Sequence, residues 1–293
     1  MTTMTDTVRP RRSALYMPAS NPRAIAKARS LPADVIILDL EDAVAPEAKQ
    51  SAREAAIAAA AEGGFGNREL VIRINALDTP WGKDDLAAVA HADIDAVLVP
   101  KVYRPSDITA CNAALADAPS RLQLWAMIET CAVVPHLDAL AALSAGTRLS
   151  LFVMGVNDLA KEMRARLTPE RTPFLPILTL AVAAARAHNV AILDGVCNEF
   201  RDLAVFQSEA RQGLLFGFDG KTLIHPDQIA ACNAVFSPSA DELAHAEAVI
   251  AAFALPENAG KGAIRVDGRM VELLHLEQAR LQVAIAEAIA AQG

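Results

Sequence analysis

Eight short runs rich in Val, Ile and Leu recur along the chain, separated by alanine-rich amphipathic segments. No other feature constrains the fold as tightly. The runs are ALYMP (14–18), VIILDL (35–40), LVIRIN (70–75), AVLVPK (96–101), LQLWAMIE (122–129), LSLFVMG (149–155), VAILDGV (190–196) and LLFGF (214–218). They read as strands buried on both faces, and the helical segment between one and the next is what a parallel crossover requires. Eight such units predict an α/β protein folded as a (β/α)8 TIM barrel, with a doubly wound open sheet as the alternative.

After Pro226 the pattern changes. ADELAHAEAVIAAFA and VELLHLEQARLQVAIAEAIAAQ are two helical segments beyond what a barrel needs, and the Gly-rich, charged LPENAGKGAIRVDGRM separates them. The expected organisation is a barrel over residues 1–235 and a C-terminal helical extension over 236–293. A mobile linker would let the extension act as a lid or a subunit-contact segment, and a tail packed on the outside is the plainer alternative.

An apolar fraction of 53% over 293 residues supports a large core. No apolar run approaches the ~18 residues of a membrane span, and MTTMTDTVRPRRS lacks the apolar centre of a secretory signal, so the expected location is the cytoplasm. A net charge of -8 argues against nucleic acid or an anionic membrane as partner. Any polyanionic ligand would need a local patch such as Arg9, Arg11 and Arg12 with Arg23, Lys27 and Arg29. Cys111, Cys131, Cys197 and Cys232 are scattered without CxxC spacing and read as reduced thiols, mostly buried.

Charge gathers where the strands end, the face on which barrels of this kind do chemistry. The second run delivers Asp39, Glu41 and Asp42; the third Arg73 with Asn75; the fourth Lys101; the fifth Glu129; the sixth, through MGVND, Asp158; the seventh Asp194; the eighth Asp219 and Lys221. Alternation makes Asp39 and Glu41 share a face of their strand, as Arg73 and Asn75 share a face of theirs, and with both faces inward one acidic pocket crossed by an arginine results. Three carboxylates within four residues resist joint ionisation unless a metal ion or a guanidinium sits among them. Oxygen donors without His or Cys suit Mg2+ better than zinc. Each residue also has a plainer role: Asp158 as an N-cap and Glu129 as a solvated strand end. A charge buried in LVIRINA or after LWAMI nevertheless needs compensation. Five of the six histidines read as surface or packing residues. His225, in LIHPDQ, reads as a loop-fixing residue, and GGFG (63–66) as a helix stop.

RSALYMPASNPRAIAKA, ILDLEDAVAPEAKQSAR, VIRINALDTPWGKDDL, VLVPKV, MIET, GVNDLAKE and GFDGKTLIHPDQI occur in that order. On these motifs the chain resembles the HpcH/HpaI aldolase and citrate lyase β-subunit family, in its malyl-CoA lyase-like branch. The resemblance implies a Mg2+-dependent carbon–carbon lyase (Mn2+ as a substitute) acting on 3-hydroxyacyl-CoA esters such as malyl-CoA or citramalyl-CoA. Acyl-CoA and a 2-oxoacid would be its small-molecule partners, and it would assemble as a trimer or hexamer. It implies Glu129 and Asp158 as metal ligands and Arg73 as a substrate-binding and catalytic residue. Asp39, Glu41 and Asp42 would hold metal-bound water, Glu41 and Asp42 close to the chemistry and Asp39 close to substrate. Tyr16 is assigned to substrate binding, and Arg23 and Lys27, behind the N-cap Asn21 and Pro22, to the CoA phosphates. In VDGRMVELLHLEQAR, Glu272 stands where relatives tend to place an aspartate that exchanges the proton at the thioester α-carbon, supplied by an adjacent subunit. A citryl-thioester lyase subunit, a malyl-CoA thioesterase and a non-catalytic acyl-CoA-binding barrel are the alternatives.

Overall fold

The computed structural model describes residues 9–292, which fall into two compact units. In the first, Arg11–Phe236, eight parallel strands close on themselves in sequence order: β1 Ser13–Pro18, β2 Val35–Asp39, β3 Glu69–Arg73, β4 Ala96–Val99, β5 Gln123–Ile128, β6 Leu149–Met154, β7 Ala191–Asp194 and β8 Gly220–Leu223. The TIM barrel is present, and β1 pairs with both β2 and β8 to close it. Around it run α1 Pro22–Ala28, α2 Lys49–Glu62, α3 Gly82–Val89, α4 Pro105–Ala114, α5 Leu137–Ala141, α6 Val156–Met163, α7 Leu175–Ala187, α8 Leu203–Phe216 and α9 Gln228–Phe236.

Seven strands lie where the apolar runs place them, and the eighth does not. LLFGF is the end of α8, which stops at Gly217 with φ +93°, and β8 follows as GKTL. Leu214 and Leu215 are exposed helix residues. The true strand is short and polar because Lys221 is buried in an ion cluster and Thr222 lines the cavity described below. A brief apolar run does not by itself distinguish a strand from the end of a helix.

Alternation along the strands sorts side chains into an outer layer under the helices and an inner plug. Val35 and Ile37, Val71, Leu98, Trp125 and Met127, and Val153 share the plug. Its floor is polar: Arg11 Nε and Nη2 donate to the two carboxylate oxygens of Glu69 at 2.6 and 2.9 Å, with the guanidinium 5.5 Å from the Trp125 ring centroid. Arg12 is paired with Asp34, and Arg29 with Glu62. Three members of the supposed basic patch are thus bound to carboxylates.

In the second unit, α10 Ala240–Ala254 begins at a Ser239 N-cap, and α11 spans Leu273–Ala290. Between them LPENAGKGAIRVDGRM is more ordered than a mobile linker. Ala263–Val266 (β9) and Arg269–Glu272 (β10) form an antiparallel hairpin on Asp267 (φ +48°) and Gly268 (φ +77°), the left-handed pair that a tight two-residue turn demands. Val249, Ile264, Val266, Val271 and Leu276 give this unit its own small core.

Candidate active site

The strand ends of β2 and β3 are in register, Asp39 opposite Arg73. Both side chains point inward, and the guanidinium is held by a fork: Nε and Nη2 donate to the two Asp39 oxygens, each at 2.7 Å. Asp39 also accepts from the backbone N–H groups of Glu41 and Ala43 at 2.9 and 3.0 Å. Burial alone would raise its pKa, but Arg73 and these donors outweigh that and lower it. Arg73 Nη1 lies 3.3 Å from Asp42 Oδ2 and 2.8 Å from Glu41 Oε2, and the guanidinium lies over the Tyr16 ring at 4.7 Å. The Glu41 contact is misaligned for a hydrogen bond, leaving Oε2 buried without a partner. Burial pushes Glu41 up to about 8, against the pull of Arg73. The same arginine thus holds Asp39 ionised while burial works against the charge on Glu41.

At the end of β5, Glu129 is 1% exposed, and burial lifts its pKa to about 7 against the pull of Lys101. Its Oε1 accepts the Lys101 backbone N–H at 2.7 Å, and its buried Oε2 has no partner. Asp158 is the third residue of α6, whose N-cap is Gly155, so it is not itself the cap. The Lys101 ammonium joins the two acids, 2.6 Å from Asp158 Oδ2 and 3.4 Å from Glu129 Oε1. Gly155 is needed here, because a Cβ on it would fall 2.6 Å from Glu129 Oε2. A partnerless buried carboxylate oxygen beside a second carboxylate fits a hard divalent cation. Two protein ligands leave the remaining positions to water or substrate, as Mg2+ prefers. Among the described residues no group of three or more His, Cys, Asp or Glu forms a complete metal cage.

Tyr16, Asp39, Asp42, Arg73, Glu129 and Asp158 all line one cavity of about 340 Å3 at the C-terminal ends of the strands. Glu41 is not on that lining and stands behind Arg73. Arg23 and Lys27 are exposed on α1, where Asn21 Oδ1 caps the helix by accepting from the N–H groups of Arg23 and Ala24. Glu272 belongs to the second unit, at the N-cap of α11, where its backbone N–H donates to His275 Nδ1 at 3.0 Å.

Three polar residues near the strand ends, one amide and two charges, are engaged away from the cavity instead. Asn75 lies past the end of β3 and donates to Asp85. Asp194 and Lys221 pair at 3.0 Å between barrel and helices, with Arg171 2.7 Å from Asp194 and Glu209 2.7 Å from Lys221. His225 stacks on Phe200 at 5.1 Å and accepts the Asp227 N–H, as a loop-fixing residue does. The cavity also contains Asn157, Asn198 and Thr222, which sequence reasoning missed. Asn157 and Asn198 exchange side-chain hydrogen bonds of 3.0 and 2.8 Å. The strand-end rule points to both, in MGVND and GVCN, while Thr222 was hidden by the misplaced eighth strand.

The family model HpcH/HpaI aldolase/citrate lyase matches residues 12–226. The chain is 49% identical over 282 residues to a (3S)-malyl-CoA thioesterase of Cereibacter sphaeroides, covering 96% of each chain. It is 34% identical to an L-malyl-CoA/beta-methylmalyl-CoA lyase of the same species, covering 97% of this chain and 96% of the other. Among solved structures, protein CitE of Mycobacterium tuberculosis in complex with magnesium, acetoacetate and coenzyme A superposes with a TM-score of 0.77 at 29% identity, covering 95% of this chain and 98% of the other. The barrel, the match over its whole length and these relatives establish that the chain belongs to the HpcH/HpaI aldolase/citrate lyase family, enzymes that make and break carbon–carbon bonds.

Proposed function

We propose that the chain is a Mg2+-dependent enzyme of malyl-type CoA thioesters whose net reaction is hydrolysis of the thioester bond. The observation that carries this reading is 49% identity over nearly the full chain to a malyl-CoA thioesterase, against 34% to a malyl-CoA lyase. The cavity, about 340 Å3, has room for a four-carbon hydroxyacyl group with a water of about 30 Å3 beside it.

Glu129 and Asp158 would hold the metal, which when bound supplies Lewis-acid polarisation of a substrate oxygen. Arg73, fixed by Asp39, presents its guanidinium to the same cavity, where it binds a carboxylate and stabilises negative charge developing on oxygen. Met127, Met154, Val156 and Val196 supply apolar wall that lowers the local dielectric and strengthens these interactions. In hydrolysis, water adds to the thioester carbonyl, the C–S bond breaks and the thiolate leaves as free thiol. Arg23 and Lys27 take the CoA phosphates, Tyr16 and Asp42 border the acyl group, Mn2+ replaces Mg2+, and the protein assembles as a trimer or hexamer in the cytoplasm.

Carbon–carbon cleavage is the second reading, favoured by the family match and the 34% lyase relative. The same groups would bind the 2-hydroxyacyl end and Arg73 would stabilise its alkoxide. The test is purified protein with malyl-CoA and Mg2+, following free thiol and glyoxylate separately. Thiol without glyoxylate is the expected result. Glyoxylate without thiol would overturn hydrolysis in favour of the lyase reading.

A further inference from the structure

Lys101, to which no role has been assigned, reaches three carboxylates beside the candidate site. It sits just past β4 with φ +52°, a left-handed conformation that is strained for a non-glycine residue and persists only where its surroundings hold it. The strained backbone achieves two contacts on Glu129: the Lys101 N–H donates to Oε1 at 2.7 Å, and the ammonium lies 3.4 Å from the same oxygen. The ammonium also lies 2.6 Å from Asp158 Oδ2 and 3.9 Å from Glu41 Oε1. One tethered positive charge thus neutralises the carboxylates proposed to receive a divalent cation.

Lys101 also borders a second cavity of about 440 Å3, with Leu77, Asp78, Tyr103, Arg104 and Asp107 among its walls. It is separate from the substrate cavity, which Lys101 does not line. The partners of its ammonium are Glu129, Asp158 and Glu41; the second cavity, whose Asp107 already accepts the Tyr103 and Arg104 N–H groups, gives open space beside the residue into which the side chain can be displaced. A lysine ammonium is a mobile point charge, suited to such a displacement in a way that a fixed guanidinium fork is not.

We propose that Lys101 is a built-in competitor of the metal: its ammonium bridges Glu129 and Asp158 and must leave them for a divalent cation to bind there. This rests on the reading of Glu129 and Asp158 as metal ligands. Apparent metal affinity is then reduced by the stability of the lysine-bound state, as in any equilibrium where only one of two states binds the ligand. The lysine also compensates the buried Glu129 carboxylate when no cation does so.

The test measures Mn2+ binding by electron paramagnetic resonance and thermal unfolding with and without Mg2+, comparing wild type with Lys101→Met and Lys101→Asn. Asparagine adopts the left-handed conformation readily, so Lys101→Asn removes the ammonium without adding backbone strain. Both variants should bind Mn2+ about tenfold or more tightly, the factor expected for losing about 1.4 kcal/mol of competing ion pairing. Their metal-free Tm should be lower than wild type and their Mg2+-induced rise in Tm larger. Equal or weaker Mn2+ binding by Lys101→Asn, with an unchanged Mg2+-induced rise, would overturn the competitor role while leaving the metal site standing. No Mn2+ binding by wild type or either variant would overturn both.

Discussion

Arg73 and Asp39 meet end to end across β2 and β3, their strands in register and two hydrogen bonds of 2.7 Å closing the fork. Arg73 is 6% exposed and Asp39 1%, so each depends on the other for its charge. The guanidinium that lines the cavity is therefore pre-aimed by a residue on the neighbouring strand.

The first prediction follows from that geometry. Arg73→Lys keeps the charge and loses the planar fork, so kcat/KM should fall about a hundredfold or more. Steady-state kinetics on malyl-CoA checks it. Near-wild-type turnover would make Arg73 a structural ion-pair partner only.

A second concerns the metal. Glu129→Gln or Asp158→Asn should abolish Mg2+ binding and activity, as should excess chelator on the wild type. The circular-dichroism spectrum should keep its barrel signature, because Glu129 follows the end of β5 and Asp158 lies in the first turn of α6, both beyond the packed interior of the barrel. Full turnover in chelator would remove the metal from the mechanism.

Gly155 gives a third. A Cβ there would fall 2.6 Å from Glu129 Oε2, too close for any rotamer of the glycine's replacement to relieve. Gly155→Ala should displace Glu129 and weaken Mn2+ binding by at least tenfold while the protein still folds. Unchanged binding would show that Glu129 is not held where the metal sits.

The outward cluster supplies a pH prediction. Burial would raise the pKa of Asp194, but Lys221 and Arg171 outweigh it and lower it. A depressed carboxylate contributes stability above the unfolded pKa of about 3.9 and loses it as pH falls through the lower folded value. Asp194→Asn leaves Arg171 and Lys221 buried with Glu209 as their remaining acid, and should cost about 3–5 kcal/mol at pH 7. Chemical denaturation from pH 7 down to 3 should show wild type converging on the variant below pH 4. A constant gap across that range would contradict the assignment.

Glu272 is the fifth. In the carbon–carbon cleavage reading its carboxylate, supplied by a neighbouring subunit, exchanges the proton at the thioester α-carbon, so Glu272→Gln and Glu129→Gln should each be inactive alone in glyoxylate formation. Dissociating the two proteins, mixing and reassembling them should restore part of the activity. An active Glu272→Gln protein refutes the role outright.

The sequence by itself determined the architecture, because parallel strands buried on both faces must be apolar, and helices that cover them must repeat between them. VIILDL, LVIRIN and LQLWAMIE could be read as barrel strands without coordinates, and their terminal Asp39, Arg73 and Glu129 do converge on one cavity. GKTL could not be read as a strand, because Lys221 is tolerated there only through Asp194 and Glu209, residues 27 and 12 positions away. Tertiary structure also decided which strand-end charges face substrate. Asp194 and Asp39 end similar strands, yet one points to the helices and the other to the cavity, since a one-residue change in where a strand stops reverses the side chain. The linker became a hairpin because its alternate residues Ile264 and Val266 found apolar partners on α10 and α11, a gain no local signal records. Lys101, an ordinary lysine after a strand in the sequence, acquires its left-handed backbone and its place between Glu129 and Asp158 only when β4, β5 and α6 are side by side.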